Sequence, residues 1–112
     1  MFARALLRSL GVTGRIRSPT YTLLETYEGA PGALAHLDLY RLGSAAELEF
    51  VDFAAALEGS ALTLVEWPER AAGALPTPAA HVAIAHAGQD RRTLAIEIDG
   101  APWQMPALDY LP

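Results

Sequence analysis

The chain predicts an α/β fold, a sheet built from two hairpins and an apolar strand with helices packed on it. Three observations carry that expectation. Residues 1–10, MFARALLRSL, space their apolar side chains helically. Residues 20–40 read as two strands joined by a short turn sequence, GAPG, and residues 80–99 alternate around GQD. LTLVE, residues 62–66, is an apolar run that closes on a carboxylate.

Phe2, Leu6 and Leu10 share one helical face, with Ala3 and Leu7 beside them, and Gly11 ends the helix as a C′ residue would. No Ser, Thr, Asp or Asn precedes this helix. Either it frays at Met1 or something that belongs before it is missing. Gly14 to Arg17 reads as a short strand or a turn. Thr20 to Glu28 is rich in Thr, Tyr and Leu and predicts a strand; GAPG turns the chain, and Ala33 to Tyr40 returns as the second strand of an antiparallel pair. Ser44-Ala-Ala-Glu47 has the form of a capping box and should open a helix through about Val51, and Asp52 offers a cap for a further turn before Gly59. The apolar strand follows at 61–67, stopped by Pro68. Glu69 to Leu75 predicts a short helix ended by Pro76 and Pro78. Ala80 to Ala87 and Arg91 to Asp99 form the second hairpin. Residues 1–99 read as one domain and 100–112, with three of the eight prolines, as an extended tail.

Composition narrows the function. The 112 residues are 52% hydrophobic, enough for one core. A net charge of −5 argues against a general polyanion-binding surface. The absence of cysteine excludes disulfides, thiolate metal sites and a cysteine nucleophile. All 8 basic residues are arginine, so there is no lysine for a Schiff base or for a phosphate-binding loop. No apolar run is long enough to span a bilayer. The acid-free, four-arginine stretch of residues 1–24 is similar to a mitochondrial transit peptide, yet it runs straight into a strand-like segment with no Ser-rich linker.

Three places offer chemistry. Glu66 ends a buried strand, where open α/β sheets bind ligands; an exposed strand end would also accommodate an acid. In HLDLYR, residues 36–41, His36, Asp38 and Tyr40 project to one strand face, and Leu37, Leu39 and Arg41 to the other. Such a polar face meets solvent, a hydrogen-bond network or a ligand. In SPTY, residues 18–21, Ser18 and Thr20 offer hydroxyls to a metal, a phosphate or their own turn.

Taken in order, SPTYTLLETY, HLDLYRL, the capping-box ELEF and LTLVEWPERA resemble the TsaE (YjeE) family over nearly the whole chain. The resemblance implies a P-loop NTPase-like sheet and an ATPase subunit that helps make threonylcarbamoyladenosine in tRNA. It implies a cytoplasmic protein that works with the TsaB and TsaD proteins and meets tRNA indirectly through them, with no membrane. ATP and Mg²⁺ would be its cofactors. Glu66 would take the Walker B part and bind or orient Mg²⁺, an ion that prefers oxygen ligands and keeps most of its waters. Asp38 would be the second acid on which hydrolysis depends. Thr20 matches a switch-like position near the γ-phosphate, and Trp67 would pack against the nucleotide pocket. Ser18, His36, Tyr40 and Arg41 belong to the motifs without individual roles.

One departure stands out. The family's glycine-rich loop, G-x-x-x-x-G-K-[ST], directly before the first helix, does not occur in the sequence. Roughly 35–45 residues carrying a strand and that loop would precede MFARALLRSL in a full NTPase of this kind. The resemblance therefore predicts a chain truncated at its N-terminus, by a mis-set start or as a true gene fragment. Beside the ATPase subunit stand a degenerate or fragmentary binding module that keeps the partner surface without hydrolysis, and a metal-dependent hydrolase using Asp38, Glu66 and His36 without nucleotide.

Overall fold

A computed structural model describes residues 2–16, 23–44, 46–47 and 53–103. They fall into two compact units, Met1–Leu75 and Pro76–Pro112, divided where Pro76 and Pro78 interrupt the chain. The division lies inside the segment 1–99 that the sequence reads as one domain.

The first unit is built on a three-stranded sheet in the order β1 (Leu24–Gly29), β2 (Gly32–Asp38), β3 (Leu62–Glu66). The pair β1–β2 is antiparallel and closes on Ala30–Pro31, with Gly29 opposite Gly32. The pair β2–β3 is parallel. A parallel neighbour requires a long crossover, and residues 39–61 supply it, with the helix α2 (Phe53–Gly59) on the way. Because β2 is central, four consecutive residues, Leu34, Ala35, His36 and Leu37, are buried, where an alternating pattern would have marked a one-sided strand.

Two apolar clusters cover the two faces of this sheet. On one, Leu37, Leu39, Leu42 and Ala71 pack with Leu24, Val65 and Phe53, which belongs to α2. On the other, Leu34 and Tyr27 meet Leu7, Leu10, Val12 and Ile16, brought there by the helix α1 (Phe2–Ser9). The result is helix, sheet, helix in layers, the α/β class expected from the sequence.

The end of α1 is fixed by its own backbone. Gly11, at φ 94°, is the left-handed C′ residue: its N–H donates to Arg8 O, and Val12 N–H reaches back to Leu7 O. The burial of Leu7 and Val12 together completes this Schellman-type stop. Leu10 O then accepts from Ala30 N–H at 2.7 Å, tying the helix end to the β1–β2 turn. Between Val12 and Ile16 the chain forms neither helix nor strand, and Gly14 turns at φ 79°. The capping-box segment shows Glu47 Oε2 accepting from Gly43 N–H at 3.1 Å. The helix expected beyond it, through Val51, the Asp52 cap, and the strand start at Thr20 lie outside the described residues.

After β3 a single 3-10 turn covers Pro68–Ala71, shorter than the helix expected over 69–75. The second unit is an antiparallel sheet in the order β4 (Ala80–His86), β5 (Arg92–Ile98), β6 (Ala101–Trp103). The β4–β5 hairpin falls where the alternation around GQD places it. β6 begins inside the segment read as a tail. Asp99 and Gly100, at φ 52° and 83°, make the two-residue turn that returns it onto β5, which is the geometry an Asp-Gly pair favours. Among the described residues no helix is long and apolar enough to cross a membrane.

Candidate functional site

The parallel pairing of β2 with β3 assembles the site. Its register places His36 beside Leu64, Leu37 beside Val65 and Asp38 beside Glu66. Partners in register project to the same face of a sheet. Leu37 and Val65 therefore meet in the α2-side cluster, while His36, Asp38 and Glu66 share the face that α1 covers. Asp38 and Glu66 are the last residues of their strands, so two carboxylates stand side by side at the carboxyl edge of a parallel pair. This is where open α/β sheets take their ligands.

Each carboxylate is held. Asp38 Oδ1 accepts from Tyr40 N–H at 3.0 Å, a local turn that ends the strand. Glu66 Oε1 lies 2.6 Å from Nε2 of His36. The pair spans an interface between interior and surface: the His36 side chain is 5% exposed and that of Glu66 38%. His36 is the buried polar side chain among the described residues, and burying an imidazole without a partner would cost about 1–3 kcal/mol. The bond to Glu66 offsets that cost. Its Nδ1 has no hydrogen-bond partner among the described residues.

Just beyond the two strand ends the chain carries a pair of aromatic rings in contact. The Tyr40 and Trp67 rings lie 5.0 Å apart between centroids, tilted by 56°, and the Arg70 guanidinium carbon sits 5.4 Å from the Tyr40 centroid. Tyr40 and Trp67 remain 52% and 46% exposed. Trp67 holds φ 58° and ψ 50°, a left-handed backbone that costs a bulky residue roughly 1–2 kcal/mol. That conformation turns the chain directly from Glu66 into the 3-10 turn, and Pro68 at its start keeps the next residue from extending the strand.

Of the residues singled out in the sequence, the structure thus gathers His36, Asp38, Tyr40, Glu66 and Trp67. Arg41 is exposed in the turn after β2. Ser18 and Thr20 lie outside the described residues. Sequence reasoning left two things unseen. One is the packing of Arg70 on Tyr40, for which WPER gave no signal beyond the arginine itself. The other is the contact of His36 with Glu66, which follows from the i, i+2 relation of His36 to Asp38 once the two strands are known to be parallel neighbours.

The donor set suits a hard divalent cation: two carboxylates at an exposed edge, and no sulfur. Among the described residues no three His, Cys, Asp or Glu side chains gather into a metal cage. A cation here would take the carboxylates and complete its shell with water or phosphate oxygens, as Mg²⁺ does.

The family model described as "Threonylcarbamoyl adenosine biosynthesis protein TsaE" matches residues 1–94. The chain is 41% identical over 73 residues to the tRNA threonylcarbamoyladenosine biosynthesis protein TsaE of Haemophilus influenzae, covering 65% of this chain and 46% of that protein. It is 38% identical over 92 residues to the protein of the same name from Rickettsia bellii, covering 81% and 63%, and 29% identical over 104 residues to that of Bacillus subtilis, covering 93% and 65%. The chain thus spans from about half to under two thirds of the length of these curated relatives.

Proposed function

The chain belongs to the TsaE family, and from that premise we propose that it carries the acidic half of an Mg²⁺-dependent ATP site serving threonylcarbamoyladenosine formation in tRNA. The observation that supports this reading best is the in-register pairing of Asp38 with Glu66 at the carboxyl ends of adjacent parallel strands. In this reading Glu66 holds or orients Mg²⁺, and Asp38 acts on its water shell or on the attacking water. When bound, the ion would neutralise charge on the β- and γ-phosphate oxygens. Trp67 lines the nucleotide pocket, and the motif match at Thr20 would give it the part of a hydroxyl donor to the γ-phosphate. The phosphate-cradling amides and lysine of a P-loop are not among these 112 residues, so the chain supplies acid and shape rather than phosphate affinity. The protein would act in the cytoplasm with TsaB and TsaD and reach tRNA through them.

The two acids should separate binding from turnover. On a polypeptide carrying a phosphate loop ahead of Phe2, with TsaB and TsaD present, Asp38→Asn should lower ATP turnover by about 10²-fold or more and leave nucleotide affinity within about threefold. Glu66→Gln should raise the Mg²⁺ concentration that turnover requires. Wild-type turnover in folded Asp38→Asn would remove that residue from the mechanism.

A further inference from the structure

We propose that His36 is a positioning residue for Glu66, holding one carboxylate oxygen so that the other is presented to a divalent cation. The inference rests on the metal reading of Glu66 given above. Three observations carry it. The contact is short, 2.6 Å between Nε2 and Oε1, as a hydrogen bond to an ionised acceptor is. The imidazole is buried, 5% exposed, in the central strand, whereas the carboxylate it holds reaches the surface. Its other nitrogen, Nδ1, is buried with no partner among the described residues, and among them the ring's hydrogen bond goes to Glu66.

The chemistry fixes the direction of the bond. An ionised carboxylate only accepts, so the proton must lie on Nε2. In the neutral ring with the proton there, Nδ1 is an acceptor, and a buried acceptor without a partner among the described residues is tolerated more readily than such an N–H. A glutamate at a strand end otherwise has several rotors to order before it can meet an ion. The buried ring, on the sheet face it shares with Leu34, orders them in advance. A side chain serving only to fill space there would need no nitrogen aimed at the site.

The test uses the chain itself and Mn²⁺ as the probe, read by paramagnetic broadening of the backbone amides of Asp38 and Glu66, which reports even millimolar binding. Glu66→Ala should abolish the broadening. His36→Phe, which keeps the core filled, should weaken apparent Mn²⁺ affinity by about tenfold. His36→Gln, whose amide nitrogen falls near the position of Nε2, should recover most of that loss. His36→Asn, whose amide falls nearer Nδ1, should not. In a Glu66→Ala background His36→Phe should have no further effect, because the two act as one unit. Amide spectra of each variant establish that it is folded. If Glu66→Ala weakens Mn²⁺ binding and folded His36→Phe does not, positioning by His36 is refuted while the metal reading stands. Equal affinities for the Gln and Asn variants would also refute it. If the parent chain shows no Glu66-dependent broadening, both readings fall together.

Discussion

Replacing Gly29 by alanine should destabilise the first unit more than any surface substitution near it. A Cβ on Gly29 would lie 2.6 Å from the backbone oxygen of Leu10 and 2.7 Å from Cδ1 of Leu34. Real Cβ contacts do not come so close, so one neighbour must move. Leu34 is 1% exposed and locked in the α1-side cluster, and Leu10 O is the acceptor for Ala30 N–H at 2.7 Å. Overpacking a core costs about 1–3 kcal/mol, and losing the Leu10–Ala30 hydrogen bond costs about 1 kcal/mol more. The expected total is about 2–4 kcal/mol. At about 4–8 °C per kcal/mol for a unit of this size, the melting temperature should fall by at least about 8 °C. The assay is thermal unfolding followed by far-UV circular dichroism. Gly59→Ala is the control: nothing lies within 4 Å of its Cβ position at the end of α2, and the change should be neutral or stabilising by up to about 1 kcal/mol. A Gly29→Ala melt within about 2 °C of the parent, or an equal loss in Gly59→Ala, would show that the α1–hairpin contact does not constrain the fold.

Three further outcomes are expected. Leu37→Ala, at a fully buried position in the α2-side cluster, should cost about 2–5 kcal/mol, read as a lowered urea midpoint at unchanged slope. Calorimetric titration of the 112-residue chain with Mg-ATP should give a Kd no tighter than about 0.1 mM, because the lysine and amide cradle that supply phosphate affinity are not in it; micromolar binding would contradict this. Arg70→Ala should change stability by no more than about 1 kcal/mol, since an exposed guanidinium over a tyrosine contributes little, and a larger loss in denaturant unfolding would assign Arg70 a structural role.

The parts of this fold written in short-range pattern were legible. Strand-forming composition around the GAPG turn located β1 and β2, alternation located β4 and β5, helical spacing located α1, and Gly11 marked its end for the reason the structure shows. The two acids stood out only as a strand-end carboxylate and part of a polar strand face, and it was the family resemblance that gave them roles. What pattern does not encode is adjacency. Nothing in HLDLYR or LTLVE says that the two are parallel neighbours in a register that matches Asp38 to Glu66; the crossover between them decides it. For the same reason His36 read as part of a polar face, whereas in the central strand it is buried. The β6 strand was missed although Asp99-Gly100 is a strong hairpin signal, because the prolines after it suggested a tail. The apolar residues of the second unit's hairpin, Ile84, Leu94 and Ile98, are 41–51% exposed, so alternation there predicted strands correctly without predicting burial.

The left-handed backbone at Trp67 has a consequence for anyone who would improve this protein by selection. Glycine accepts that conformation without strain, and asparagine tolerates it far better than tryptophan. A library screened by heat alone would therefore be drawn to position 67, rewarding replacements that relax the turn. Each such winner would have discarded the ring that packs against Tyr40 directly after Glu66. Thermal fitness and the shape of the site pull in opposite directions at this one residue, and a screen blind to nucleotide would enrich for the loss.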